Sequence, residues 1–233
     1  MMKQMQQSVC ALAVLAATTL PAMAASTVDV RVIGTITPAA CSPTLSGGGT
    51  IDYGAINPTT LSAADYTVLE EKQIDFAITC DAPAKVAIKA INGRPGTAAG
   101  STEGPGGFGG SPVPLLGDSG NRVVGLGLDG TAKIGGYAVA VKAGTVTADG
   151  TVVASVQSLD NGTTWMASPA GSLGAYGSVL LSSWATGGTT TPIAFENLAG
   201  KLAVQAYLNH ASELDLTKPV ALDGLTTIEL VYL

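Results

Sequence analysis

The stretch I-D-F-A-I-T-C, residues 74–80, alternates between large apolar side chains and polar or small ones, and ends in a cysteine. Successive side chains of a β-strand point to opposite sides of the chain. One face would therefore carry Ile74, Phe76, Ile78 and Cys80. The same period of two recurs in residues 137–141 and 202–208, and turn dipeptides such as Asp149-Gly150 lie between these runs. Short strands joined by turns predict an all-β protein, most simply an antiparallel sandwich.

The composition is that of a chain that buries a core. Hydrophobic residues make up 46% of the 233 residues, and the charged share of 12% is about half the usual one. The formal net charge of −6 would repel a phosphate backbone, which excludes nucleic acid as a partner. Residues 93–120 hold ten Gly and four Pro, a composition that predicts a long exposed loop.

The first 24 residues have the pattern of a secretory signal peptide. Lys3 precedes an apolar run over residues 9–20, and residues 21–24 end in Ala-Met-Ala, the small-x-small pattern of a cleavage site. The run is too short to span a bilayer, and we expect no integral membrane span in the rest of the chain. The sequence therefore predicts cleavage after Ala24 and export of the remainder.

Export determines how the cysteines are interpreted. Cys10 lies inside the signal peptide, so the exported chain contains Cys41 and Cys80. An even count in an oxidising compartment predicts a disulfide, which would contribute roughly 4 kcal/mol by closing a loop of about 40 residues. A metal site is the weaker alternative, because two thiols and the single His210 do not complete a zinc shell. We expect no metal and no cofactor.

Both ends of the exported chain have strand-like patterns. Residues 27–37 are T-V-D-V-R-V-I-G-T-I-T, and the last residues alternate up to a penultimate tyrosine. One face of the first segment would carry Val28, Val30, Val32, Gly34 and Ile36. A terminal segment built like a core strand needs a groove to lie in. The simpler alternative is that it forms the first strand of its own sheet.

These features resemble the subunits of the chaperone–usher pili of Gram-negative bacteria. The matching stretches are V-D-V-R-V-I-G-T-I at 28–36, I-D-Y-G-A-I at 51–56, F-A-I-T-C at 76–80 and the penultimate Tyr232. They occur in the order found in that family. Residues 82–195 match less well and are longer than in most such pilins, as in the larger fimbrial-like branch of the family.

The resemblance implies an incomplete immunoglobulin-like β-sandwich over residues 38–233, preceded by a donor-strand extension over residues 25–37. A periplasmic pilus chaperone would lend the missing strand during export, and at the outer-membrane usher the extension of the next subunit would replace it. The donor residues that would fill the groove of a neighbouring subunit are Val28, Val30, Val32, Gly34 and Ile36. The strand contacted by the chaperone would contain Ile228, Leu230, Tyr232 and Leu233.

The function implied by this resemblance is that of a structural pilus subunit. It would be exported through the periplasm, polymerise with neighbouring pilins, and support adhesion as part of an extracellular fimbria. The alternative is a minor or tip-associated subunit that binds a host glycan or surface through the Gly-rich loop or through Trp165 and Trp184. For both tryptophans, a place in the core is the simpler expectation.

We do not expect an enzyme. Residues 117–120, G-D-S-G, resemble the nucleophile loop of trypsin-like proteases, but the single His210 follows this serine instead of preceding it. Residues 125–130 match the dinucleotide-binding pattern G-x-G-x-x-G by letter, and no helical pattern follows them. Neither motif has the surroundings that its chemistry requires.

Overall fold

The computed structural model describes residues 30–35 and 39–233. The chain divides into two units, Met1–Thr37 and Pro38–Leu233, and the fold described below is that of the second. The expectations for the signal peptide, for Val28 and for Ile36 lie outside the described residues.

Sixteen strands and three short 3₁₀ helices make up the secondary structure of the described residues. The strands are β1 (Cys41–Leu45), β2 (Thr67–Val68), β3 (Lys72–Ala84), β4 (Val86–Asn92), β5 (Gly109–Gly110), β6 (Arg122–Gly125), β7 (Leu128–Asp129), β8 (Ala132–Lys133), β9 (Gly135–Val141), β10 (Thr147–Ala148), β11 (Thr151–Val152), β12 (Ala154–Ser158), β13 (Met166–Ala167), β14 (Leu181–Ala185), β15 (Phe195–Leu208) and β16 (Thr226–Tyr232). The 3₁₀ helices are Ser46–Gly49, Pro58–Thr60 and Ala211–Glu213.

Two antiparallel sheets form a sandwich. The larger contains β1, β3, β15, β9, β6 and β5 in that order, with β2 and β10 also paired to β15 and β11 paired to β10. The smaller contains β13, β12, β14, β4 and β16. Lys85 alone separates β3 from β4, so the chain passes from one sheet to the other within a single residue. The predicted all-β fold class is confirmed, and the layering agrees with an immunoglobulin-like sandwich.

The core lies between the inner faces of the two sheets. Phe76 and Ile78 of β3 are buried, as is Ile88 of β4 in the facing sheet. The indole ring of Trp184 on β14 lies 6.2 Å from the ring of Phe76 and 6.0 Å from that of Phe195, measured between centroids. These aromatic contacts join the two sheets, and they show that the apolar face predicted at residues 74–80 points into the core.

Residues 93–120 form the predicted Gly-rich loop, in which β5 is the only strand, but the loop is exposed over only part of its length. This segment contributes to a second buried cluster, whose members are Ala98, Ala99, Leu115, Val123, Ala138 and Tyr207. Its glycines allow backbone to lie against backbone: a Cβ added at Gly106 would lie 2.2 Å from the carbonyl oxygens of both Ala175 and Ser178. The glycine content reflects this close packing, so the segment is a layer of the fold.

Candidate functional site

An apolar groove of about 820 Å³ opens beside β16. Its floor is the inner face of the larger sheet, formed mainly by Leu202, Val204, Ala206 and Leu208 of β15 with Tyr137 and Val139 of β9. One side is formed by residues 48–58, which follow β1, and the other by residues 214–228. A smaller extension of about 370 Å³ continues between β1 and β16 above Phe76. The groove therefore lies where the edges of the two sheets stand apart.

The side chains of the groove's walls are only half-buried. They pack against the core on one side and remain partly exposed on the other, as seen at Ile51, Ile56, Val220, Leu222 and Ile228. Partial exposure of several large apolar side chains in one place is unfavourable for an isolated domain. An extended segment in the groove would complete their burial.

The backbone along both walls has free hydrogen-bonding groups. β16 is the last strand of its sheet, so one of its edges has no neighbouring strand among the described residues. On the opposite wall, residues 51–56 make no backbone-to-backbone hydrogen bond with any described residue. Unpaired strand edges are templates for the addition of another strand. The groove thus offers hydrogen-bond partners on two sides of an incoming segment.

The groove is closed at one end by the C-terminal residues. The amide of Cys41 donates a hydrogen bond to the hydroxyl of Tyr232 at 2.7 Å, which joins β1 to β16. Cys41 is also bonded to Cys80 of β3, so the disulfide predicted from the cysteine count is present at this end. The amide of Leu233 donates to the carbonyl of Lys85 at 3.0 Å. The opposite end lies near Leu208 and Leu214.

The tyrosines that line the groove are poor proton-transfer groups. Burial raises the pKa of Tyr137 to about 12, and its hydroxyl lies 2.6 Å from the Oγ1 of Thr226. Burial also raises the pKa of Tyr53, whose hydroxyl accepts the amide hydrogen of Ala206 at 3.2 Å. In the part of the chain that the structure describes, no three His, Cys, Asp or Glu residues come together as a metal site. The arrangement is suited to binding an extended apolar chain.

The residues assigned from sequence fall into two groups. Ile228 and Leu230 of β16 point toward the core, while Tyr232 and Leu233 form the closed end. In the other unit, Val30 and Val32 are exposed, at 87% and 92%, and a Cβ added at Gly34 would have no atom within 4 Å. The structure therefore places the C-terminal residues beside the groove and leaves the described part of residues 28–36 uncovered.

One wall of the groove was missed in the sequence. Leu214, Leu216, Val220 and Leu222 line it. All four occupy even positions, so a period of two was present, but Lys218 breaks the apolar alternation and Pro219 interrupts the segment before the turn dipeptide Asp223-Gly224. Residues 51–56, which form the opposite wall, stand out in the sequence only because they resemble a stretch found in pilins.

The two tryptophans have different surroundings. Trp184 is 1% exposed in the core, so it cannot serve as a platform for a sugar ring. Trp165 is half-buried, and its Nε1 donates to the carbonyl of Gly162 at 3.1 Å. Of the surface suggested for glycan binding, Trp165 and the exposed part of the Gly-rich segment therefore remain accessible.

The fold and the site define a β-sandwich protein with an open apolar groove beside its last strand. A family described as "Protein of unknown function (DUF1120)" matches residues 30–110. The chain is 30% identical over 228 residues to the "Uncharacterized protein YhcF" of Escherichia coli (strain K12), an alignment that covers 92% of this chain and 94% of YhcF. The chain belongs to the same family as YhcF.

A second relative shares a shorter region. The chain is 35% identical over 95 residues to "Protein GltF" of Escherichia coli (strain K12), covering 39% of this chain and 37% of GltF. No solved structure matches the chain. Among the described residues, no helix has the length and apolar character needed to cross a membrane.

Proposed function

We propose that this protein is a structural subunit of a chaperone–usher pilus and that it polymerises by donor-strand exchange. The observation that supports this most directly is the groove, which is apolar on its floor and has unpaired backbone on both walls. Such a site binds an extended strand by main-chain hydrogen bonds, with alternate side chains buried beneath it. It does not suit a compact polar substrate.

The occupant that we propose is the N-terminal extension of another copy or of a related subunit. Residues 28–36 carry apolar side chains or glycine at every second position on one face, as a strand lying over an apolar floor requires. Fully burying the four apolar donor residues would contribute roughly 1.5–3 kcal/mol each. Ordering the extension costs about 1–2 kcal/mol per residue. Docking would also bury the half-exposed side chains in the walls of the acceptor's groove, which adds to the favourable free energy of binding.

The proposed route of assembly follows from this incomplete core. A chain whose core stays open needs a temporary strand, which we assign to a periplasmic pilus chaperone that pairs with the free edge of β16. An outer-membrane usher would then exchange that strand for the extension of the next subunit. Donor and acceptor surfaces differ, so the contact is heterologous and propagates into a fibre. The predicted signal peptide supports export to the periplasm, and the usher would carry the chain to the cell surface.

The test is to purify the exported chain from the periplasm of cells that carry its chaperone and usher. We expect a one-to-one complex with the chaperone in the periplasm, and a ladder of SDS-resistant multimers at the cell surface. A variant lacking residues 25–37 is the matched control, because it keeps the groove and lacks the proposed donor. It should bind the chaperone and give no ladder. Recovery of either protein from the periplasm mainly as a monomer without bound chaperone would contradict the proposal.

A further inference from the structure

Residues 214–222, called the strap below, line the groove at the end near Leu208. Leu214, Leu216, Val220 and Leu222 are half-buried along it, while the residues between them are exposed. The strap forms no strand with any described residue. Its apolar side chains therefore form a wall of the groove without belonging to a sheet.

Little backbone bonding holds the strap. The amide of Leu216 bonds to the carbonyl of Leu214 at 3.1 Å, and that of Thr217 to the carboxylate of Asp215 at 3.3 Å, both within the strap itself. At its start, the amide of Leu214 bonds to the carbonyl of Ala211 at 3.4 Å. Segments with few hydrogen bonds to the rest of a fold open locally at low free energy. The strap has the character of a segment that can move without unfolding the sandwich.

One ion pair joins the middle of the strap to the sandwich. The Nζ of Lys218 lies 2.8 Å from the Oδ1 of Asp129, at the hairpin between β7 and β8. The side chain of Asp129 is 12% exposed and that of Lys218 is 52% exposed, so one partner of the pair is open to water. The hydrogen bond to Asp129 also raises the pKa of Lys218, which keeps the lysine charged.

The strap is followed by a firmly held residue. The amide of Asp223 donates to the carbonyl of Leu126 at 2.9 Å, and its carboxylate accepts two hydrogen bonds from Arg94, at 2.6 and 2.8 Å. A segment with a fixed end and a single polar attachment at its middle can swing once that attachment breaks.

We propose that the strap is a gate at this end of the groove and that the Lys218–Asp129 ion pair is its latch. This inference rests on the proposed function, because it concerns entry of the donor strand. While the latch is closed, the apolar side chains of the strap line the path along which an incoming strand would begin to dock. When the latch opens, the strap moves aside and the strand can enter from there.

The test compares the full exported chain with its Lys218→Gln variant. The probe is a fluorescein-labelled peptide of residues 25–37, which has one Asp and one Arg and so no net side-chain charge. We expect the variant to bind the peptide about two- to fivefold faster, as loss of a weak ion pair allows. The control is Lys201→Gln, which removes the same charge and breaks the Lys201–Asp75 pair between β15 and β3. Its association rate should equal that of the unmodified chain.

Hydrogen exchange on the same three proteins, without peptide, gives the second measurement. Amides of residues 216–222 should exchange faster in Lys218→Gln and at an unchanged rate in Lys201→Gln. Equal association rates and equal exchange in all three proteins would overturn the gate while the proposed function stands. A peptide that binds none of them would overturn the proposed function, and the gate with it.

Discussion

Tyr232 joins the last strand to the first across the end of the sandwich. Replacing it with Phe keeps the ring and removes the oxygen that accepts the Cys41 amide hydrogen at 2.7 Å. We expect Tyr232→Phe to lower the free energy of unfolding by about 1 kcal/mol, measured by urea denaturation. Tyr176→Phe is the control, because Tyr176 is 44% exposed and its hydroxyl has no hydrogen bond among the described residues. Equal midpoints for Tyr232→Phe and the unmodified chain would contradict this role.

Asp160 makes the loop after β12 sensitive to acid. Its carboxylate accepts hydrogen bonds from Thr164 and from the hydroxyl of Ser158, and the hydroxyl of Thr164 is the largest cause of a pKa lowered to about 2. Because the pKa is lower in the folded state than the usual value near 3.9, the carboxylate's contribution is complete above about pH 4. It is lost as the pH falls toward 2.

The fluorescence of Trp165 reports on this loop, because its indole bonds to Gly162. We expect a change in tryptophan emission between pH 4 and 2, with the buried Trp184 contributing none until the whole fold opens. The Asp160→Asn variant has no carboxylate to protonate at this position, so it should show no change in emission in this pH range. An unmodified chain with constant emission down to pH 2 would show that the carboxylate does not hold the loop.

At the scale of elements, the long strands were predictable because burial repeats along them. In β3 the predicted face of Phe76, Ile78 and Cys80 is the buried one. The hairpin joining β10 and β11 was also predictable, since Asp149 and Gly150 both adopt the positive φ of a tight turn, 47° and 80°. The local alternation of apolar and polar residues is enough to predict a strand when only one face of that strand meets the core.

The Gly-rich layer and the groove were not predictable in this way. A high glycine content shows that the backbone has conformational freedom. It does not show whether another stretch of backbone packs beside the segment. The half-buried wall formed by residues 214–222 likewise belongs to no strand among the described residues. Both features depend on contacts between segments that are distant in sequence.

The packing of the Gly-rich layer can be measured at Gly106. A Cβ there would lie 2.2 Å from two backbone carbonyl oxygens, so something must shift. We expect Gly106→Ala to destabilise the fold by about 1–3 kcal/mol, seen as a lower thermal midpoint. Gly187→Ala is the matched control, because a Cβ at Gly187 meets no atom within 4 Å. If both variants melted like the unmodified chain, the segment would be a loosely attached loop.

At the scale of the whole molecule, the proposed function gives one chain both halves of a joint. The groove would accept a strand, and residues 28–36 have the pattern of one. If these surfaces meet between different copies, each addition leaves a new groove or a new donor free, and growth continues in one direction. Dissociation would require reopening a completed core, so such a fibre would be resistant mainly through a slow unfolding step.

Gly34 offers the sharpest test of this joint. No atom lies within 4 Å of a Cβ added there, so a larger side chain would not strain the described structure. In a docked donor strand, Gly34 would face the groove and Thr35 would face away. We expect Gly34→Leu to bind the chaperone normally and to be absent from surface fibres, because leucine would meet the groove floor. Thr35→Leu adds the same side chain on the opposite face and should be incorporated. Fibres containing both variants in equal amounts would mean that this face of the extension does not enter the groove.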